Sequence, residues 1–154
     1  MKNLLKEPYN ETKFKTNLNI SIQRLKINTK KKTELSSRNW KEIADFLKTG
    51  KIERARIRVE HIVREDYMTQ ALDVIEIMLE VLVSRIRLFT NSSKDNVHAS
   101  VKEAIDSIIW ASSHVSQEWP ENVVLIKQIK RKLGEKYRVV ERDDGILLFL
   151  NRIK

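Results

Sequence analysis

The segment Lys51–Tyr67, reading KIERARIRVEHIVREDY, constrains the fold most strongly, because it combines dense arginine and glutamate with a helical repeat of apolar residues. The apolar members of the repeat are Ile52, Ala55, Val59, Ile62 and Val63. Steps of three and four residues are typical of an amphipathic helix with one narrow apolar stripe. Gly50 stands directly before the segment, and a second long helical pattern precedes it. The sequence therefore predicts a helical hairpin whose second arm begins here.

The first arm of the hairpin is predicted to span residues 10–48. Its stripe, which is polar across residues 30–34, is made of Phe14, Leu18, Ile22, Leu25, Thr29, Ser36, Trp40, Ile43 and Leu47. We expect this stripe to face the second arm. Ile20 and Ile27 point away from it; they are either singly exposed residues or contacts to a neighbouring subunit.

The second arm is predicted to run from Lys51 to Leu88 or Phe89 and to become apolar on two sides beyond Tyr67. One side contains Val74, Ile77, Val81 and Leu88, and the other contains Met68, Leu72, Ile75, Leu79, Leu82 and Ile86. A helix that is apolar on two sides is covered on two sides, so we expect the later helices to pack at this end of the hairpin.

Two further helices are predicted, over residues 95–111 and 120–137, with Ser112 and Ser113 as an interruption between them. Residues 1–9 are expected to be disordered. Residues 138–154 form either a short strand hairpin around Gly145 or a turn and a last short helix, and we prefer the helix because the rest of the chain offers no strand partner. The predicted fold class is all-α, with one helical domain over residues 10–137.

Composition excludes several classes of protein. The 154 residues contain no Cys, so disulfides, thiolate chemistry and zinc–thiolate sites are excluded. No apolar run approaches the ~20 residues of a bilayer span, and the N-terminus lacks the apolar core of a secretion signal, which predicts a cytoplasmic protein. His61, His98 and His114 lack metal-ligand spacing, and no phosphate-binding loop is present. We expect no enzymatic activity, no cofactor and no metal.

The net charge of +9 is concentrated on the first arm, since residues 1–51 hold 13 Lys/Arg and 5 Asp/Glu, a net of +8. Its basic face comprises Lys13, Lys15, Arg24, Lys26, Lys30, Lys31, Lys32, Arg38 and Lys41. Such a face is either simply solvated or meets an anionic partner, which would be a membrane, a nucleic acid or an acidic protein surface. We favour a protein partner over lipid, because no adjacent apolar face is expected to remain free for insertion.

A family resemblance is carried by the run ERARIRVEHIVREDY, by KKKTEL and EIADFL before Gly50, by SIIWA at residues 107–111, and by the Lys132-Leu133 and Lys136-Tyr137 pairs. In order and spacing, residues 10–137 closely resemble the increased sodium tolerance family, whose members are ESCRT-III-like proteins. The resemblance implies an ESCRT-III-like core, with a long α1–α2 hairpin and shorter helices on its far end.

The same resemblance implies the function. Family members bind charged multivesicular body proteins, co-assemble with them into filaments on endosomal membranes, and modulate the AAA ATPase of vacuolar protein sorting in endosomal sorting, membrane remodelling and abscission. Many continue to a C-terminal helix that binds this ATPase directly. Here Asp144, Leu147 and Leu150 resemble such a helix only faintly, which leaves direct ATPase binding open.

Individual residues carry two further predictions. The resemblance suggests that Leu133 and Tyr137 dock the C-terminal helix of a charged multivesicular body protein, and four residues of spacing would place them on one helical face; the alternative is that both pack against the hairpin. Asp66 falls on the stripe facing the first arm, where it needs Lys32 or a hydroxyl such as that of Thr29 or Thr33. With the Glu60–Arg64 pair, Asp66 is predicted to form a structural lock of the hairpin.

Two other functions compete with the filament regulator. A basic nucleic-acid-binding helical protein would fit the +8 arm, but that arm has no aromatic row on which bases could stack. A bare coiled-coil dimer would fit the hairpin, but the stripe lacks a sustained a/d heptad, and the third and fourth helices supply intramolecular cover. Binding that survives moderate salt would favour a helix in an apolar groove over phosphate contacts.

Overall fold

The computed structural model describes residues 8–137 and residue 139. These residues form five helices: α1 (Glu11–Lys48), α2 (Ile52–Ser84), α3 (Ile86–Asn91), α4 (Ala99–His114) and α5 (Asn122–Leu133). The all-α prediction is confirmed, with the long α1–α2 hairpin and shorter helices that it specified. The predicted disordered segment 1–9, apart from its last two residues, and nearly all of the C-terminal segment 138–154 lie outside the described residues.

The turn between α1 and α2 follows from Gly50, whose φ of 71° is in the left-handed region. The Gly50 amide donates to the Leu47 carbonyl at 3.1 Å, and the Lys51 amide donates to the Phe46 carbonyl at 2.8 Å. This pair of bonds is a Schellman motif, which satisfies the last carbonyls of α1 and reverses the chain. The predicted hairpin turn is therefore confirmed at the predicted glycine.

The described residues divide into two compact units, one of residues 24–76 and the other of residues 8–23 and 77–137. In residues 24–76, the two arms of the hairpin pack through a small apolar cluster of Ile43, Ala55 and Ile62, joined by Phe46 and Val59. Beyond that cluster the seam is polar. Two interhelical ion pairs, Lys32–Glu65 at 2.7 Å and Arg58–Glu42 at 2.9 Å, join the arms.

The seam-facing positions of α1 differ from the predicted stripe. Buried and half-buried residues follow alternating steps of three and four, at positions 22, 25, 29, 32, 36, 39, 43 and 46. These are heptad steps, but Lys32, Ser36 and Asn39 are polar, so the apolar stripe does not sustain a heptad, as predicted. Trp40 and Leu47, which were predicted to face α2, are 47% and 51% exposed instead.

In the other unit, the ends of α1 and α2 pack with α3, α4 and α5. Phe14 and Phe89 are fully buried and stack with ring centroids 5.1 Å apart. Trp119 is fully buried as well, and its indole N–H donates to the buried hydroxyl of Ser21. Asn17 donates to the side-chain oxygen of Gln128 at 3.1 Å. The first turns of α1 are thus fixed to α5 and to the loop before it.

Several helix boundaries differ from the sequence prediction. The second arm breaks at Arg85, whose guanidinium donates to the Ser100 carbonyl at 2.6 Å, so that Leu88 belongs to the short helix α3. The helix after the loop begins later than predicted and continues through Ser112 and Ser113. Their hydroxyls donate to carbonyls three residues back, which lets both serines stay helical.

The expectation that α2 is covered on two sides was also wrong. The stripe of Leu72, Ile75, Leu79, Leu82 and Ile86 is buried, as predicted. On the other stripe, Ile77 is 54% exposed and Leu88 is 36% exposed. Val74 and Val81 on the same stripe are half-buried, so among the described residues this second stripe is covered only in part.

Candidate partner-docking site

Helix α5 presents two different faces. One is buried, and the other lines a groove together with Ser112 of α4. Leu125, Ile129 and Leu133 point inward and are fully buried. Val123 and Ile126 lie on the other face, where Val123 is 51% exposed. Steps of three and four residues separate the members of each face, as expected for a surface helix.

The groove has an apolar floor and a basic rim. Its lining residues are Ser112, Asn122, Val123, Ile126, Lys127, Lys130, Arg131 and Glu135. Three of the charged residues are cations and one is an acid. A surface of this kind suits an amphipathic helix with a small apolar stripe and acidic flanks, because the stripe covers the floor while the flanks meet the rim.

The start of α5 is positioned by the residues before it. Asn122 is buried, and its side-chain amide donates to the Trp119 carbonyl, while Trp119 is anchored through Ser21. The end of α5 is set by Gly134, with a φ of 95°, whose amide donates to the Lys130 carbonyl at 2.7 Å. The groove therefore lies on a helix that is fixed at both ends.

Leu133 and Tyr137 do not share one helical face. Helix α5 ends at Leu133, which is fully buried, and Gly134 redirects the chain before Tyr137. A spacing of four residues places two side chains on one face only within a continuous helix. The prediction that the helix continues to Tyr137 was wrong. The docking role of the two residues remains a prediction, which the experiment below tests against the groove.

Tyr137 is held by a buried carboxylate of α4. Its hydroxyl donates to Asp106 Oδ1 at 2.7 Å, and Lys102 Nζ donates to Asp106 Oδ2 at 2.6 Å. Burial, followed by the hydrogen bond to Asp106, raises the pKa of Tyr137. The hydrogen bond to Asp106 is the largest cause that raises the pKa of Lys102. Asp106 was not predicted from the sequence, although a lone carboxylate on the apolar face of α4 was a signal for it.

Of the predicted lock residues, only Asp66 connects the two arms. It accepts a hydrogen bond from Ser36 Oγ at 3.0 Å, so its partner is a hydroxyl about one turn after the nearer of the two expected, Thr33. Lys32, named as the alternative partner, pairs with Glu65 instead. Arg64 and Glu60 pair at 2.5 Å within α2, and both are about two-thirds exposed, so they do not bridge the hairpin.

The predicted basic face is divided between the two units. Lys13 and Lys15 lie on α1 within residues 8–23, and the remaining members lie within residues 24–76. Within the second group, Lys26 pairs with Glu76 at 3.5 Å and Lys32 is engaged with Glu65. Arg24, Lys30, Lys31, Arg38 and Lys41 are exposed.

The described residues contain no group of side chains suited to hold a metal ion. Within them we also find no helix whose length and apolarity would suffice for a bilayer span. What the site can do chemically is bind, through an apolar floor and a basic rim.

A five-helix fold with a long hairpin and an exposed docking groove defines a helical binding protein. The chain belongs to the Ist1 family, described as a regulator of Vps4 activity in the MVB pathway, whose family model matches residues 15–147. That description is of a regulatory role, in agreement with the prediction of a non-enzymatic protein.

Two curated relatives agree with the family assignment. The chain is 30% identical over 129 residues to the IST1-like protein of Dictyostelium discoideum, a match that covers 84% of this chain and 33% of the relative. It is 29% identical over 111 residues to vacuolar protein sorting-associated protein IST1 of Saccharomyces cerevisiae, covering 68% of this chain and 37% of that protein. The chain thus spans about a third of the length of these relatives.

A solved structure shares the fold. It is the crystal structure of the S. cerevisiae Ist1 N-terminal domain in complex with the Did2 MIM motif. The TM-score is 0.76 at 24% identity, and the match covers 96% of this chain and 92% of that one. The helical architecture is therefore that of the Ist1 N-terminal domain.

Proposed function

We propose that this chain binds the C-terminal helix of a charged multivesicular body protein and, through it, acts as an ESCRT-III-associated filament subunit and regulator. The single observation that carries the proposal is the groove on α5, where Val123 and Ile126 are flanked by Lys127, Lys130 and Arg131. Family membership supports the pathway, and the S. cerevisiae Ist1 N-terminal domain was crystallised in complex with the Did2 MIM motif.

Regulation of the ATPase follows from this binding. A protein that holds the C-terminal helices of filament subunits controls how many of them the AAA ATPase can engage. Copolymerisation on endosomal membranes would concentrate the chain where disassembly occurs. Direct binding to the ATPase, which the sequence leaves open, would require residues 138–154, and nearly all of these lie outside the described residues.

Fluorescence anisotropy of a labelled C-terminal helix from a charged multivesicular body protein tests the proposal. We expect saturable binding at moderate salt that weakens by about tenfold or more in the Lys130→Glu/Arg131→Glu variant, because each charge reversal places an acid against an acidic helix. The matched control is Arg54→Glu/Arg87→Glu, which reverses two exposed charges outside the groove and should leave affinity within about twofold.

A second variant separates the groove from the pair named by sequence. Leu133→Ala/Tyr137→Ala should lower the helical content or the melting temperature, since it removes a fully buried side chain. The opposite result is a double variant that stays fully folded but no longer binds the partner helix, while the charge-reversal variant still binds it. The docking site would then lie at Leu133 and Tyr137 and not in the groove. Absence of binding by the unaltered chain would refute the proposed function.

A further inference from the structure

The hydrogen bond from Ser36 to Asp66 identifies one side of the hairpin within residues 24–76. Trp40 lies one turn after Ser36 in α1, and Val63 lies about one turn before Asp66 in α2. Residues three or four apart share a helix face, so both lie on the side of this hydrogen bond. Leu47 lies seven residues after Trp40 on α1, and Ile52 lies eleven residues, about three turns, before Val63 on α2. Both therefore lie on the same side. We call this side the apolar side; it consists of Trp40, Leu47, Ile52 and Val63.

The apolar side is open. Trp40, Leu47, Ile52 and Val63 are between 42% and 51% exposed. The opposite side of the hairpin is charged, because it carries the two interhelical ion pairs, Lys32–Glu65 and Arg58–Glu42. Arg58 and Glu65 are seven residues apart, so they lie on the same face of α2. The hairpin is therefore amphipathic across its width, which the sequence analysis had excluded by burying Trp40 and Leu47.

Exposed cations lie beside the open apolar residues, and the acids nearest to Ile52 and Val63, which are Glu53 and Glu60, pair with Arg56 and Arg64. The turn from Leu47 to Ile52 contains Lys48 and Lys51 and no carboxylate. Lys41 follows Trp40, and all three lysines are exposed. Apolar side chains beside exposed cations are complementary to a surface that is apolar below a layer of negative charge, which is the cross-section of an anionic lipid leaflet.

We propose that the apolar side and the turn of the hairpin form a peripheral anchor for anionic membranes. Leu47 and Ile52 insert below the headgroups, Trp40 sits at the interface, and Lys48 and Lys51 bind lipid phosphates. A helical partner would need a concave groove, whereas Leu47 and Ile52 flank the narrow end of a two-helix hairpin. The anchor is independent of the α4–α5 groove, so either can fail without the other.

Sedimentation of the full chain with vesicles of phosphatidylcholine and phosphatidylserine tests the anchor. We expect binding that falls by about tenfold or more in Leu47→Ser/Ile52→Ser, because two apolar insertions are lost without a change of charge. Lys48→Gln/Lys51→Gln should lower binding by a similar factor and remove much of its salt dependence. Pure phosphatidylcholine vesicles should bind the unaltered chain weakly.

Ile57→Ser is the matched control. Ile57 is 68% exposed and lies next to Arg58 on the same helix, away from the apolar side. This variant should bind phosphatidylserine vesicles within about twofold of the unaltered chain. An equal loss in Ile57→Ser and in Leu47→Ser/Ile52→Ser would show that the effect is not specific to the apolar side and would overturn the proposal.

Trp40 supplies a second readout. Lipids brominated near the headgroup should quench part of the tryptophan emission of the bound chain. Trp40→Phe should remove most of that quenching, because Trp119 is buried and Trp110 is half-buried on α4, stacked on His114. Three results contradict the anchor. The first is no binding of the unaltered chain to phosphatidylserine vesicles. The second is quenching that Trp40→Phe does not change. The third is that variants of the apolar side no longer bind the partner helix but still bind vesicles.

Discussion

Asp66 shows how one residue joins the two arms of the hairpin. Its carboxylate accepts from Ser36 across the seam, whereas the neighbouring Glu60–Arg64 pair remains within α2. A hydrogen bond to a charged acceptor in a half-buried seam contributes more than an exposed ion pair along one helix. The sequence indicated that Asp66 faces α1, but it could not indicate which hydroxyl reaches it, because that depends on the register of the two helices.

We predict that Ser36→Ala lowers the free energy of unfolding by about 1 kcal/mol, since it leaves a carboxylate without its donor. Arg64→Ala, the control, should change it by less than about 0.5 kcal/mol. Urea unfolding followed by circular dichroism measures both. Equal effects of the two substitutions would show that the Ser36–Asp66 bond is not a lock.

The Lys102–Asp106–Tyr137 cluster makes stability depend on alkaline pH. The pKa values of Lys102 and Tyr137 are both raised in the folded chain. A group with a raised folded pKa stabilises the fold below its unfolded pKa, and this stabilisation is lost as pH rises through the folded value. For these two groups, the loss occurs above about pH 10.

We therefore predict a fall in the free energy of unfolding above about pH 10 that is smaller in Tyr137→Phe. Tyr137→Phe removes only the hydroxyl group, so the variant keeps the aromatic ring but has no phenol to titrate. Urea denaturation across alkaline pH measures the effect. An identical pH profile for the two proteins would contradict the role given to this cluster.

At the scale of the elements, the two glycines with positive φ stop α1 and α5. Gly50 has φ 71°, in a region that alanine enters at moderate cost. Gly134 has φ 95° and ψ 151°, close to a region that is occupied essentially by glycine alone. A methyl group would meet no atom within 4 Å at Gly50 and only Lys94 Cδ at 3.7 Å near Gly134, so backbone strain decides both substitutions.

We predict that Gly50→Ala costs about 1 kcal/mol and that Gly134→Ala costs more, up to about 3 kcal/mol. Because Gly134 ends the helix that forms the groove, its substitution should also weaken partner binding, whereas Gly50→Ala should not. Thermal unfolding and anisotropy measure the two effects. A larger cost at Gly50 would contradict this account of the turns.

The seam of α1 explains why the stripe was only partly predictable. The apolar pattern located Phe14, Leu18, Ile22 and Leu25 correctly. Further along, the seam positions are the polar residues Lys32, Ser36 and Asn39. The apolar pattern therefore shifted to Trp40 and Leu47, one position away. Two helices in a supercoil repeat every 3.5 residues, and only pairing with α2 imposes that repeat.

For the molecule as a whole, the family and the helix order were predictable, and the site was not. Long helical patterns and glycine punctuation are local properties of the sequence. The groove depends on where α5 ends and on what Asn122 and Trp119 fix before it, which are tertiary contacts. The exposure of Val123 on α5 is likewise a tertiary property, so the sequence did not indicate the groove, and the docking role of Leu133 and Tyr137 stays a prediction.

The most direct test of the central claim is an NMR titration of the methyl-labelled chain with an unlabelled C-terminal helix from a charged multivesicular body protein. The account predicts that the methyl signals of Val123 and Ile126 shift and saturate together. Signals of Leu47 and Ile52 should stay unchanged and serve as the internal control. Shifts confined to Leu47 and Ile52, or no shifts at a saturating concentration of helix, would contradict docking in the α4–α5 groove.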